Sequence, residues 1–479
     1  MSIHILEEIL HPQSVSVVGA SDNTSTWGYH YTHHLIDYGY KGKIYPVNPR
    51  YSEILGMKVY PSISDIPGSV DYVISCVPAR EVLDMLEVCS GKEVKAVHLY
   101  TARFSETGRP EAIELEQEIL KRARKYGIRL IGPNCMGIYY PREGLSFAYD
   151  MPRETGNVGM LSQTGGGSAA FVRLASLRGV RFSKVISYGN ALDFNECDFL
   201  EYFVQDEETK IILVYIEGTR DGRRFFNSLC EAASRKPVIV LKGGTGKSGT
   251  TAVASHTASI AGSAQTWESV IAQTGAISAQ TFDEMVDLAV SFYFLPPIRG
   301  IQVGVVGGGG GPSVLSADEC EWAGLDVIDL PVEIRDELRR NDVPIWDWIG
   351  NPTDVSILGG SGFNNIDMLR IMADNPNFDL LIANINEGVA TILGNKEGAI
   401  TRLRGEVENY TNLKEESNKP LLAVMREGRP GIKDSSHWSW QLFSELTTKL
   451  TDANIPIYPT MQRAASAAYK VNKYYQNKR

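Results

Sequence analysis

One histidine stands in surroundings suited to carrying a phosphoryl group: His256, within Ala254-Ser255-His256-Thr257-Ala258-Ser259-Ile260-Ala261-Gly262. Neutral imidazole is nucleophilic near physiological pH, and a nitrogen–phosphorus bond is labile enough to pass its phosphoryl group on. The lead-in, Gly243–Thr251, is entirely Gly, Ser, Thr and Lys, a composition that lets the chain swing. A lone histidine is more often a hydrogen-bonded core or surface group. Small flanking residues and a pliable tether favour the chemical reading. The same tether imitates a P-loop and is rejected as one. Counting back from Gly246-Lys247-Ser248, the first glycine of GxxxxGK[ST] falls on Leu241.

Two other groups fit the same chemistry. Glu217 ends the apolar run Val214-Tyr215-Ile216, and a carboxylate at such a strand end can hold an imidazole N–H so that the other nitrogen attacks. The alternative is a solvated acid at a strand terminus. Asp193 is a weaker candidate for the same neighbourhood. Ser162-Gln163-Thr164-Gly165-Gly166-Gly167 follows a short strand and precedes an Ala-rich helical stretch. A helix start offers free N–H donors and a positive dipole end to an anion, so Ser162, Thr164 and Gly165 are expected to bind phosphate. The plain alternative is an ordinary N-cap by Ser162 or Thr164.

An earlier glycine turn, Val17-Val18-Gly19-Ala20-Ser21 with Gly28 beyond, suits a phosphate-bearing cofactor. The full GxGxxG fingerprint is missing. The second strand ends in Val47-Asn48-Pro49-Arg50, without the acid that would hold the ribose of NAD. Coenzyme A fits better, since its adenosine diphosphate portion needs the same cradle and Arg50 is available for its 3′-phosphate. Three more loops, Val77-Pro78-Ala79, Thr101–Gly108 and Gly132-Pro133-Asn134-Cys135-Met136-Gly137, lie at strand ends of the same block. Together they converge on one sheet edge.

These residues need α/β scaffolding. Short β-branched runs alternate with longer helix-period segments, the pattern of parallel sheets. The first block has strands at Val15–Val18, Ile44–Val47, Tyr72–Val77, Ala96–Leu99 and Arg129–Ile131, with a helix at Pro110–Tyr126. A polar link, Pro141–Gly156, leads to strands Val158–Leu161, Lys184–Ser187, Ile211–Ile216 and Val238–Leu241 and a helix Phe282–Phe294. After Pro296-Pro297 a third block has strands Gln302–Val306, Leu380–Asn384 and Pro420–Val424. At 479 residues the chain exceeds a single core. With 43% hydrophobic and 22% charged residues its composition is that of a globular protein. A net charge of -10 argues against nucleic-acid binding. No apolar run reaches the ~20 residues of a membrane helix, and the start lacks a basic signal-peptide region. Six scattered cysteines with no CxxC pair give no zinc site or other metal site, and a reducing cytoplasm is the simple expectation.

In combination and in this order, the chain resembles the α subunit of ADP-forming acyl-CoA synthetases, in the succinyl-CoA synthetase superfamily. The matching stretches are Gly19-Ala20-Ser21, Tyr45–Pro49, Val77-Pro78-Ala79, Gly132–Gly137, Ser162–Gly166, Ser187–Asn190, Tyr215–Gly218, Ser255-His256-Thr257 and Asn351–Asp354. The resemblance implies a Rossmann-like CoA-binding domain (1–145) followed by two flavodoxin-like parallel-sheet domains (156–294 and 298–475). It implies an acid–thiol ligase that forms acyl-CoA reversibly from a small carboxylic acid, coenzyme A and ATP, releasing ADP and phosphate. ATP would phosphorylate His256, Glu217 would steady it, and the acid would become an acyl phosphate that coenzyme A attacks. Ser162, Thr164 and Gly165 match the phosphate-receiving helix start. Gly19, Ser21, Pro49, Val77, Pro78, Asn134 and Cys135 fall in the CoA-contacting loops. No ATP-grasp domain is expected within these residues, since only Ala464–Arg479 follows the third block. A separate ATP-grasp β subunit is therefore implied, carrying ATP/ADP with Mg in an α2β2 heteromer. Arg103 departs from the pattern, which usually has glycine there. Rival expectations are a CoA-sensing regulatory subunit and an NAD-dependent oxidoreductase.

Overall fold

The computed structural model describes residues 2–249, 263–354, 356–358, 362–385, 395–425, 434 and 436–478. The chain divides into two units, 1–285 and 286–479, with the break inside the helix Phe282–Phe294.

The first unit holds two large sheets and a two-stranded antiparallel pair, Glu53–Ile54 with Met57–Lys58. The first is wholly parallel, in the order Lys43–Val47, Ser14–Val18, Tyr72–Ser75, Ala96–Leu99, Arg129–Ile131. Its strands are buried on both faces and so carry unbroken apolar runs. Val15, Val17, Val73, Val97, Leu99 and Leu130 are all fully buried, each worth roughly 1.5–3 kcal/mol of burial. The helix Pro110–Lys125 begins with proline at its first turn and ends in Arg122, Arg124 and Lys125, as its dipole favours. Ala112, Glu116, Ile119 and Ala123 form its buried face.

The second sheet has five parallel strands, in the order Ile277–Ala279, Val238–Lys242, Ile211–Ile216, Val158–Ser162, Phe182–Ser187. A sixth strand, Gly137–Tyr139, adds antiparallel to Val185–Ser187. Sequence reasoning placed that segment at the end of the first block and gave it no strand. In the structure the chain has already crossed into the second sheet there. In both sheets successive strands turn to opposite sides of the first, which creates a switch point where ligands bind beyond the carboxyl ends.

The second unit carries the parallel strands Val303–Gly307, Leu380–Asn384, Leu421–Val424 and Ile457–Tyr458 in sequential order. Beyond Val303–Gly307, Thr353 makes a parallel bridge to Val306. Asn351 secures it, accepting from Val305 N–H at 2.9 Å and donating to Val303 and Ile328 carbonyls. The Asn351–Asp354 motif is thus a rudimentary edge strand, giving this sheet the same winding. Asp287 is buried and paired with Arg463 Nε at 2.6 Å, and Ser291 Oγ shares a 2.7 Å hydrogen bond with Tyr458.

One close approach sets the start of the helix Trp27–Asp37. A Cβ on Gly28 would lie 1.9 Å from the Gly19 carbonyl oxygen, so only glycine lets the helix meet the first turn. Gly28→Ala should lower stability by about 1–3 kcal/mol in thermal unfolding. Gly222, with open space around it, should tolerate alanine without loss.

Candidate functional site

At the switch point of the first sheet the turn after Ser14–Val18 is fixed by backbone bonds. Gly19 and Ala20 N–H donate to the Val47 carbonyl, and Cys76 N–H donates to Val18. The Asn48 side chain donates to the Ala20 carbonyl at 2.7 Å and accepts from Arg50 N–H at 3.0 Å. It is spent on the turn, where an NAD-binding fold would offer a ribose acceptor. Beyond the strand ends opens a cleft of about 570 Å³ bounded by Gly19, Pro49, Arg50, Val77, Pro78 and Arg80. That volume lies in the range of cofactor sites. Of the residues expected to hold coenzyme A, these five named in the sequence lie together: Gly19, Pro49, Arg50, Val77 and Pro78.

Ser21, Asn134 and Cys135 lie outside the lining of this cleft. Ser21 is buried and its hydroxyl accepts from Asn23 N–H. Cys135 is buried, and burial pushes its thiol well above the ordinary range. Asn134 belongs to a seam between the two sheets. Its N–H donates to the Thr101 carbonyl at 3.0 Å, and Asn190 N–H returns a bond to Pro133. Gly189 is obligatory here, because a Cβ would come within 2.3 Å of the Pro133 carbonyl. On the same loop, Met136 N–H donates to Ser187 Oγ at 3.1 Å. Its side chain also abuts Gly165, where a Cβ would come within 2.7 Å of Met136 Cγ. The loop that closes the first sheet therefore touches the start of the helix Gly165–Leu177.

That helix start lies at the switch point of the second sheet. Thr164 is its N-cap, its hydroxyl accepting from Gly167 N–H at 3.3 Å. Ser162 Oγ donates to the Thr164 carbonyl and accepts from Thr164 N–H. Both hydroxyls shape the loop, and the N–H groups of Gly165 and Gly166 have no acceptor among the described residues. Orphan donors at a helix start and the dipole behind them make an anion site.

Glu217 stands on the neighbouring strand end. It is buried, and Tyr215 OH donates to its Oε1 at 3.2 Å. Gln163, between Ser162 and Thr164, binds the two strand ends together. Its Oε1 accepts from the N–H groups of Glu217 and Gly218, the latter at 3.0 Å, while its own N–H donates to Tyr215. Lys242 is buried beneath, donating to the carbonyls of Glu217 (2.8 Å) and Gly243. Burial lowers its pKa, opposed by the charge of Glu217. A Cβ on Gly243 would meet Tyr215 OH at 2.6 Å, so the segment that follows Val238–Lys242 leaves the sheet directly against Glu217. Phe282 stacks on Tyr215 with ring centres 5.5 Å apart. Ser162, Thr164, Gly165 and Glu217 are thus brought together. His256 lies outside the described residues.

Asp193 does not join this group; it pairs with Arg129 Nε at 2.6 Å in the first sheet's margin. Sequence reasoning missed Gln163, Lys242 and Glu196. A charge closing the apolar run Val238–Leu241 was the available signal for Lys242. Glu196 is buried and accepts from Thr219 OH, two residues past Glu217. Among the described residues no group of His, Cys, Asp or Glu could hold a metal ion, and no helix is long and apolar enough to cross a membrane.

Comparison with known proteins agrees with this layout. Residues 13–141 match a CoA binding domain and residues 155–292 a succinyl-CoA ligase like flavodoxin domain. The chain is 36% identical over 479 residues to the acetate–CoA ligase (ADP-forming) II subunit alpha of Pyrococcus furiosus, covering 99% of this chain and 98% of that one. It is 39% identical over 352 residues to the acetate–CoA ligase (ADP-forming) of Methanocaldococcus jannaschii, covering 73% of this chain but 49% of that longer protein. Among solved structures, the dinucleotide forming acetyl-coenzyme A synthetase 1 of Candidatus Korarchaeum cryptofilum, in complex with phosphate and ADP, superposes with a TM-score of 0.79. It is 30% identical, covering 99% and 97% of the two chains. The chain belongs to the α-subunit family of ADP-forming acyl-CoA synthetases.

Burial holds the Glu196 carboxyl above the ordinary value of 4.5, partly offset by the Thr219 hydroxyl. The folded chain then binds this proton more tightly than the unfolded one. The associated stability is complete below about pH 4.5 and is lost as pH rises through the raised folded value. Unfolding midpoints of Glu196→Gln should therefore gain on the parent as pH rises above the ordinary value of 4.5. Parallel curves would contradict this.

Proposed function

We propose that the chain is the CoA-binding, phosphoryl-carrying half of an enzyme that converts a carboxylic acid, coenzyme A and ATP into acyl-CoA, ADP and phosphate, reversibly. His256 accepts the γ-phosphoryl group of ATP, with release of ADP, and its nitrogen–phosphorus bond then breaks as a carboxylate oxygen of the acid attacks. The thiol sulfur of coenzyme A displaces phosphate from the resulting acyl phosphate.

The observation that carries this reading is the meeting of three features at one switch point. They are the orphan N–H groups of Gly165 and Gly166, the buried carboxylate of Glu217, and the root of the tether that leads to His256. An imidazole beside Glu217 would donate its N–H to the carboxylate and present the other nitrogen to phosphorus. The transferring phosphoryl oxygens would be met by backbone donors and the helix dipole, with the buried Lys242 adding positive charge below. The CoA cleft lies one loop away, across Thr101 and Asn134. The proposal keeps the three domains that the resemblance implies, 1–145, 156–294 and 298–475.

The nucleotide, with Mg, is held by a separate ATP-grasp β subunit. What supports a second chain is that the longer M. jannaschii relative extends well beyond the part matched here, while the P. furiosus relative is named as a subunit.

With the partner and γ-labelled ATP, acid-labile, base-stable label should appear on this chain and vanish in His256→Ala; absence of label from the parent would overturn the reading. Glu217→Gln should slow phosphoryl transfer by ~10²-fold or more in single-turnover assays. In calorimetry the chain should bind coenzyme A, and binding of NADH without coenzyme A would contradict the cleft's assignment.

A further inference from the structure

We propose that Arg103 is a specificity residue that selects acids bearing a second carboxylate; this rests on the activity proposed above. For that activity the acid has to reach both the thiol end of coenzyme A and the helix start at Gly165. It therefore lies between the cleft at Val77-Pro78 and the loop that touches Gly165. The segment spanning that gap begins at Thr101, whose hydroxyl donates to the Val77 carbonyl at 2.5 Å and whose carbonyl accepts from Asn134 N–H. Arg103 is two residues further on.

Its backbone is left-handed, with φ +79°. Side-chain-bearing residues avoid this region because Cβ crowds the carbonyl, and arginine has no short polar group to compensate. The turn is nonetheless pinned throughout. Glu106 accepts from the N–H groups of Arg103 and Phe104, and Asn190 Nδ2 from the second sheet donates to the same carboxylate at 2.8 Å. Next along, Ser105 gives both its N–H (3.1 Å) and its hydroxyl (2.7 Å) to the buried Glu116. The result is a fixed platform for an exposed arginine, with no carboxylate within salt-bridge reach among the described residues. Strained residues held in place by their surroundings cluster at functional sites.

Two anions could meet this guanidinium. Coenzyme A phosphates are served elsewhere, because Arg50 and Arg80 already line the cleft. Arg80 follows Tyr72–Ser75, the strand beside Ala96–Leu99, while Arg50, at the phosphate-suited turn, follows the edge strand Lys43–Val47, three strands from the one that Arg103 follows. At the usual spacing that is roughly 14 Å. The guanidinium fork matches a planar carboxylate with two parallel hydrogen bonds. A second carboxylate on the acid is therefore the favoured ligand.

The test uses the complete complex with its nucleotide-binding partner. Acyl-CoA formation is measured for succinate against butyrate and for glutarate against valerate, in the parent, Arg103→Gly and Arg103→Lys. Glycine suits the left-handed backbone, so that variant keeps the turn. The parent should prefer each diacid. Arg103→Gly should lower the diacid-to-monoacid ratio of kcat/KM by about 10- to 100-fold with the KM for coenzyme A unchanged, and Arg103→Lys should fall between. An unchanged ratio, or a raised KM for coenzyme A with the ratio intact, would overturn the proposal. A parent complex inactive with every acid would instead overturn the underlying activity, and this inference with it.

Discussion

The candidate site depends on the amide side chain of Gln163. Two parallel strand ends, Val158–Ser162 and Ile211–Ile216, diverge at the switch point and leave buried N–H groups with no ladder partner. Gln163 Oε1 takes two of them, from Glu217 and Gly218. Leaving such donors unpaired would cost about 1–3 kcal/mol each. Meeting them from one side chain fixes where Glu217 leaves the sheet relative to the helix that begins at Gly165. The same amide therefore sets the spacing between a carboxylate and an anion cradle. Lys242 completes the arrangement from below by holding the Glu217 carbonyl.

A second constraint joins this site to the CoA cleft. The Gly132–Gly137 loop carries bonds in both directions: Asn134 to Thr101 on one side, Met136 to Ser187 on the other. Gly165 and Gly189 lack side chains where the loop passes. Both sheets are independently wound, yet their ligand-bearing edges are registered through this segment and through the bond from Asn190 to Glu106. A thiol bound at one edge and a phosphate at the other can therefore share one substrate.

Much of the scaffold was legible because doubly buried parallel strands must be continuous apolar runs. Val158–Leu161 and Ile211–Ile216 could hardly be anything else. The strands that escaped are two or three residues long: Glu53–Ile54, Met57–Lys58, Gly137–Tyr139, Ile277–Ala279 and Ile457–Tyr458. Such lengths carry no periodicity, and pairing with distant partners creates them. The helix start was visible in Ser162–Gly167, but the bonds that shape it were not. The hydroxyls of Ser162 and Thr164 are occupied in shaping the loop, which leaves the N–H groups of Gly165 and Gly166 as the donors at the helix start. Gln163, Glu106 and Asn190 act across separations of 54 to 84 residues, beyond the reach of local pattern. Cys135 illustrates the reverse case. Its neighbours belong to a ligand-like loop, while its thiol is buried. Arg103 shows why glycine suits its position, since the backbone there is left-handed.

The central claim is that phosphate is received by the backbone at the start of the helix Gly165–Leu177, beside Glu217. A crystal structure of the complete complex with inorganic phosphate tests it most directly. The account predicts phosphate oxygens within hydrogen-bond distance of Gly165 and Gly166 N–H. Phosphate found only at Arg50 in the cleft, with that helix start bare, would contradict it.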